Sequence, residues 1–413
     1  MSNLSNDKKD RNRLRELAKK CAEISCLPET EEKIKAWTAH NRCEGYRPMI
    51  SVQLDHWSDI GLPLQCTDTL AQYFEAQLQT HIVAHELVGD DTVTPPYIRV
   101  PVVINILPFG VEQEVIRAKE GPGYHAVPFI NDLERDLDTL PGTTYNYDAE
   151  ATQQHVDYIT DAVGDILPVK MINSTNDYLF TPSRWAVESM TMQKLYLAMV
   201  EEPDAIHRLM QIIGDDMIAF LHWQEENGLL FLNSGNDFIA SGSFAFTDEL
   251  PRREIGDSPV LGTDIWGHIN SQESVGISPA MYAEFVFPTC LRIAELFGLL
   301  YYGCCEPIDS FWDSIKKFPN LRKASISPWC NEEVAGQLLA DSKIIYVRKA
   351  SPEWVAWYDD MNEDAYIEHI KKTARLTRSC KTEYMLLDTC TPQNNPFRSK
   401  KAVDIIRRYG AYD

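Results

Sequence analysis

Apolar and polar positions along this chain alternate between two kinds of segment. Short apolar runs, continuous rather than alternating, occupy residues 100–106, 168–172, 229–232, 260–265, 299–302, 324–326, 344–347 and 384–387. Between most of them, at 185–199, 205–227, 279–297, 309–317, 331–339, 363–379 and 399–409, apolar positions recur every three or four residues. A short continuous run reads as a strand buried on both faces, and the 3.6-residue period as an amphipathic helix. Asp309, the pair Ser351-Pro352 and Asn362 stand near helix entries, where a short polar side chain accepts an otherwise orphaned N–H. Eight strands alternating with helices over about 310 residues predict an α/β protein of the (β/α)8 TIM-barrel type, with an open doubly wound sheet as the second reading. Residues 1–95 read instead as an N-terminal, mostly helical extension, with a frayed charged helix over 1–20 and one apolar run at 48–54, and residues 96–413 as the barrel.

A doubly wound nucleotide fold needs a glycine fingerprint after its first strand. The nearest piece, Gly121-Pro-Gly-Tyr-His-Ala126, follows no strand and is stiffened by Pro122. The chain contains no phosphate-cradling G-x-x-x-x-G-K-[ST], no G-x-S-x-G, no H-E-x-x-H and no C-x-x-C.

Charge narrows the partners. The 413 residues carry 39 Lys+Arg against 61 Asp+Glu, a formal net charge of −22. Nucleic acid and anionic membranes attract a basic footprint, so neither is expected as a partner. The best candidate for a membrane span, residues 97–109, is interrupted by Arg99, Pro101 and Pro108. The opening residues have no apolar signal segment, and the expected location is the cytoplasm. Ten cysteines in such a chain read as reduced thiols or metal ligands.

In a barrel the reacting groups come from the C-terminal ends of the strands. Those ends are polar here: Asn173 to Asp177, Asn233 to Asp237, Asp264 to His268 followed by Glu273, Gly303-Cys-Cys-Glu306, Ser327 to Cys330, and Asp388-Thr-Cys390. Thiolates converging with a carboxylate on one point make a zinc site, whereas single cysteines at strand ends are ordinary small buried residues. The candidate metal ligands are Cys304, Cys305, Glu306 and Cys390. Adjacent Cys304 and Cys305 point to opposite sides of a regular strand, so one of them serves, and Cys304 shares its side with Glu306. A strand already turning at Gly303 brings in Cys305 with Glu306 instead. Glu306, His268 and Glu273 are the catalytic candidates. Asn173, Asp177, Asn233 and Asp237 are substrate-binding candidates, together with Trp266 and Trp329 as an aromatic wall. His81 and His85, four residues apart, read as a solvated helical face.

Residues 299–331 (LLYYGCCEPIDSFWDSIKKFPNLRKASISPWCN), 386–410 (LLDTCTPQNNPFRSKKAVDIIRRYG) and 277–288 (ISPAMYAEFVFP) resemble the uroporphyrinogen decarboxylase superfamily, in its branch of cobalamin-dependent methyltransferases. MISVQLDHWSDIGL and QTHIVAHELVGDDTV extend the likeness into the first hundred residues. The resemblance implies the same barrel, a zinc ion bound at the 304–306 turn and Cys390, and methyl transfer between a small molecule and a corrinoid. Two departures refine it. The porphyrinogen decarboxylases share an N-terminal R-x-x-G-R-Y, which Asn41-Arg-Cys-Glu-Gly-Tyr-Arg47 does not match. The zinc-binding members carry His-x-Cys where this chain has Gly303-Cys304-Cys305-Glu306, so Glu306 or the second cysteine must replace the histidine. A corrinoid-binding D-x-H-x-x-G is missing, which implies that the corrinoid arrives on a separate protein. The expectation is a corrinoid-dependent methyltransferase acting on a methyl ether or other methylated small molecule, with a homodimer as its assembly. The alternatives are a porphyrinogen-type decarboxylase and a non-catalytic binding protein on the same barrel.

Overall fold

The computed structural model describes residues 2–54, 62–119, 123–177, 179–240, 242–355, 361–387 and 397–411. The N-terminal helices α1 (Ser2–Ser25), α2 (Pro28–Asn41) and α3 (Thr69–Val83) come first. Leu14, Leu17, Ala18 and Cys21 of α1 are buried in one cluster with Phe74, Leu78 and Ile82 of α3, so the later part of the segment expected to fray is packed. Asp68 caps α3, accepting the N–H groups of Leu70 and Ala71 at 2.9 and 3.1 Å.

The parallel strands are β1 (Met49–Val52), β2 (Ile98–Pro101), β3 (Val169–Ile172), β4 (Trp266–Ile269), β5 (Leu299–Tyr302), β6 (Leu321–Ile326), β7 (Ile345–Lys349) and β8 (Thr382–Leu386). Six form one sheet in the order β1-β8-β7-β6-β5-β4, and β2 pairs only with β3. Continuous apolar runs follow from burial on both faces. Leu299 and Tyr301 of β5 pack with Trp266, Ile345 and Val347 on one face. Leu300 and Tyr302 turn to the other face, which joins the main hydrophobic cluster; the Tyr302 ring lies 5.3 Å from that of Phe318 and its hydroxyl 2.7 Å from that of Tyr282.

The set of strands differs from the expected one at four of the apolar runs. The run at 100–106 breaks after Pro101, and Ile104–Leu107 forms a separate strand that pairs antiparallel with Thr144–Tyr147. The apolar run at 48–54, assigned to the helical extension, supplies β1, which pairs with β8 in the main sheet. The run at 260–265 becomes a tight turn, because the Asp264 carboxylate accepts the N–H of Leu261 at 2.9 Å and pairs with Arg253 at 2.6 Å, and β4 starts only afterwards. Residues 229–232 form no strand.

No closed barrel forms among the described residues, and side chains occupy both interruptions. Asn173 Nδ2, just after β3, donates to the Leu229 carbonyl at 2.9 Å. Asn233 accepts from Trp266 N at 2.9 Å and donates to Trp266 O at 3.1 Å, doing for β4 what a neighbouring strand would do. On the free edge of β1, Ile50 N–H donates to Asp91 Oδ2 and Val52 N–H to Asp90 Oδ2, each at 2.8 Å. Burial pushes the Asp90 carboxyl up to about 6, with Lys33 pulling it down. The Asp90→Ala variant orphans the buried N–H groups of Val52 and Thr92. It is expected to lose about 2–4 kcal/mol of stability in urea titration; a loss under about 0.5 kcal/mol would mean that this edge needs no cap. No helix among the described residues is long and apolar enough to cross a membrane.

Candidate functional site

The polar groups gather where β3, β4 and β5 end. Gly303 follows β5 with φ +96°, a conformation that L side chains rarely adopt, and a Cβ there would press on Ser325 and Ile308 at 3.2 and 3.3 Å. The chain therefore turns before the cysteines, strand alternation no longer applies, and the sulfurs of Cys304 and Cys305 lie 3.7 Å apart. The expectation that they point to opposite sides is corrected by this turn. Two sulfurs bound at about 2.3 Å to one tetrahedral ion are separated by about 3.8 Å, so the pair fits zinc in both spacing and donor softness. Both are half-buried.

Glu306 plays a different part from the one expected. Its carboxylate is fully buried and accepts Ser271 N–H at 2.8 Å on Oε1 and Cys304 N–H at 2.9 Å on Oε2. The side chain thus ties the turn after β5 to the loop after β4. Burial raises its carboxyl to about 7, against the N–H of Ser271, which favours the charged form. Cys330 is buried, with its Sγ 3.7 Å from the Glu306 carbonyl. Among the described residues no three His, Cys, Asp or Glu side chains cluster to hold a metal. Cys390 lies outside the described residues.

His268, on β4, is a brace between loops. Nδ1 lies 3.2 Å from the Asp177 carbonyl and Nε2 3.2 Å from the Gly303 carbonyl. Burial, with Lys349 adding to it, holds the ring down at about 4, so it is neutral and donates to one of these carbonyls at a time. Lys349, buried at the end of β7, donates from Nζ to the Cys304 carbonyl at 3.3 Å, which brings an ammonium beside the thiols.

Two cavities adjoin this cluster. The larger, about 550 Å³, lies between α3, the end of β1 and β2, and its lining includes Gln53, Tyr73, Gln77, His81 and Arg99. The smaller, about 100 Å³, is lined by Asn173, Asn233, Asp237, Trp266 and His268. They share Arg99, Ile172, Asp177, Phe238, Ile239 and Ala240. The larger volume suits a small organic molecule. Asp177, at the shared wall, has no side-chain hydrogen bond or ion pair among the described residues. Burial raises its carboxyl to about 7, with Arg99 lowering and Asp237 raising it.

Of the expected substrate-binding residues, Asp177, Asp237 and Trp266 reach a cavity wall. Asn173 and Asn233 do so while their amides are engaged in holding strands together. Trp266 Nε1 donates to the Ala245 carbonyl at 2.9 Å. Trp329 is 68 % exposed and lines neither cavity. Glu273 also lies outside both linings and accepts Ser183 Oγ at 2.8 Å. His81 corrects the solvated-face reading: it is 6 % exposed and lines the larger cavity.

The residues passed over are Arg99, Lys170 and Lys349. Each is a charge inside a strand that otherwise reads apolar, where an ion is costly unless partnered or used. That signal stands in the sequence, in YIRVPVV, LPVKMIN and IIYVRKA, within the apolar runs and not just beyond them.

At the level of sequence, no protein-family model and no curated protein matches the chain. Solved structures do match. A methyltransferase from Methanosarcina mazei superimposes over 91 % of this chain and 99 % of its own, with a TM-score of 0.51 at 12 % identity. At that identity the likeness establishes a shared α/β fold.

Proposed function

We propose that this chain is a zinc-dependent methyltransferase of a corrinoid system, built on a (β/α)8-type barrel that is interrupted on either side of the β2–β3 pair. It moves a methyl group between a small molecule, favoured to be a methyl ether such as a methoxylated aromatic, and a corrinoid carried on a separate protein. The observation that carries the reading is the pair of sulfurs 3.7 Å apart on a turn whose Gly303 carbonyl meets His268, the same ring that meets the carbonyl of Asp177, a residue lining a cavity of about 550 Å³. The fold shared with a methyltransferase supports it.

Cys304 and Cys305 would hold the zinc, with Cys390 as the third ligand. Zinc, when bound, supplies a Lewis acid for the oxygen or sulfur that the methyl group leaves or joins. The chain's own residues do the rest. Glu306 fixes the turn that presents the thiols, and His268 lies between that turn and the loop carrying Asp177, its one N–H donating to either carbonyl. With its carboxyl near 7, Asp177 exists in both protonation states at neutral pH and can give a proton to a departing oxygen.

The decarboxylase alternative lacks its recognition groups at the N-terminal segment. Arg47 is bound by both guanidinium ends to Asp91, at 2.9 Å each, and Arg42 pairs with Asp248. Mixing the chain with a reduced corrinoid protein and a panel of methoxylated aromatics, methylamines and methyl thioethers should bleach the Co(I) absorption with one class of donor. Methylcobalamin with free thiols probes the opposite direction. If neither proceeds while uroporphyrinogen loses CO₂, the decarboxylase reading replaces this one.

A further inference from the structure

Arg99 has no part in the chemistry above. It sits in β2 among apolar residues and its side chain reaches the walls of both cavities. Its register partner on β3 is Lys170, so two cations stand side by side where a sheet normally avoids like charges. Lys170 is matched by Asp237 at 3.2 Å. For Arg99 no carboxylate lies at ion-pair distance among the described residues. Its guanidinium has two long contacts, Nη1 to the Asn236 carbonyl and Nη2 to His81 Nε2, both at 3.5 Å.

The histidine contact orients the guanidinium and leaves its charge unmatched. An arginine only donates, so Nε2 accepts and the His81 proton resides on Nδ1, a buried atom with no hydrogen-bond partner among the described residues. Burial, with Arg99 adding to it, holds the ring at about 3, so His81 contributes no charge of its own. The backbone is fixed as well. Gln77 of α3 accepts Arg99 N–H at 2.8 Å and donates to the Arg99 carbonyl at 3.0 Å. A clamped strand and an orienting neutral ring thus hold a cation with no carboxylate at ion-pair distance among the described residues against about 550 Å³ of space.

Taking the proposed function as its basis, we infer that Arg99 binds an oxyanion of the small molecule in the larger cavity, so that the substrates are methylated compounds bearing a carboxylate, sulfonate or phosphate. A guanidinium presents paired donors that match such groups. Asp177 does not oppose this, because a carboxyl near 7 takes up a proton when a second negative charge arrives.

Calorimetry with 4-methoxybenzoate, 4-methoxybenzenesulfonate, 4-methoxyphenyl phosphate and neutral anisole tests the inference without any methyl transfer. At least one anion should bind at least about tenfold more tightly than anisole, and the preferred one identifies the oxyanion. Arg99→Gln should weaken that anion about tenfold to a hundredfold and leave anisole unchanged, while Arg99→Lys keeps the charge and recovers part of the loss. A melting temperature for Arg99→Gln close to that of the parent separates lost binding from lost folding. Anion binding that depends on Arg99 with no transfer to a corrinoid would retire the proposed function and keep the oxyanion site. Equal binding of anisole and the anions, no binding by any anion, or anion binding unchanged in Arg99→Gln would overturn the site itself.

Discussion

Cys304→Ala and Cys305→Ala are each expected to strip the protein of zinc and to lower methyl transfer by at least about a hundredfold. The two sulfurs stand 3.7 Å apart on one side of the turn, so losing either leaves a metal ion with too few soft donors. Neither side chain is part of the hydrophobic core, and both are half-buried at the mouth of the strands. The melting temperature should therefore move by only a few degrees. Cys390→Ala is expected to give the same loss of metal. Elemental analysis of protein purified without chelator should find about one zinc per chain in the parent and little in these variants. A parent preparation that holds no zinc and takes none up on addition would falsify the metal site. A variant that unfolds while keeping its zinc would make that cysteine structural.

Glu383→Gln is expected to cost about 3–5 kcal/mol of stability, the largest single loss anticipated in the fold. Lys323 of β6 and Glu383 of β8 are both fully buried on the face that carries Ile345 and Val347. Lys323 Nζ donates to Glu383 Oε2 at 3.0 Å and to the Phe244 carbonyl at 3.2 Å, and it also bonds Ser243 Oγ. Burial lowers the Lys323 ammonium below its ordinary 10.5, and Glu383 is the main influence raising it. Without that carboxylate the folded value falls further, while the unfolded chain keeps its ordinary one. Between the two values the unfolded state binds more protons, so stability of the variant should rise with pH up to about 10. Urea titrations at pH 7 and pH 9 read both effects. Lys323→Met combined with Glu383→Gln removes the stranded charge and should recover most of the loss. If the double variant is as unstable as the single one, packing volume is the cause and the ion pair is not.

The apolar runs of β5 to β8 were legible because each of these strands is buried on both faces along most of its length, a property written into its own residues. The helix Pro203–Glu226 was legible for the matching reason, since Ile206, Leu209, Ile213, Met217 and Leu221 recur at helical spacing along its buried side. The cap at Asn362, which accepts Ala365 N–H at 3.2 Å, is equally local. So was the place of the thiols, because Gly303, Cys304 and Cys305 follow one another in the chain.

Partnership was not legible. Nothing in residues 48–54 says that they pair with a strand more than three hundred residues away, nor do residues 229–232 say that asparagines will stand in for their ladder. Sequence pattern determined which segments are buried and where polar groups leave them, because burial is decided segment by segment. Only the tertiary structure decided which edges meet, that Gly303 turns two sulfurs to one side, and that Arg99 is held by a neutral histidine and a backbone carbonyl with no carboxylate at ion-pair distance among the described residues. Hydrogen bonding and charge balance depend on partners that the chain supplies from far away, and no local pattern encodes them.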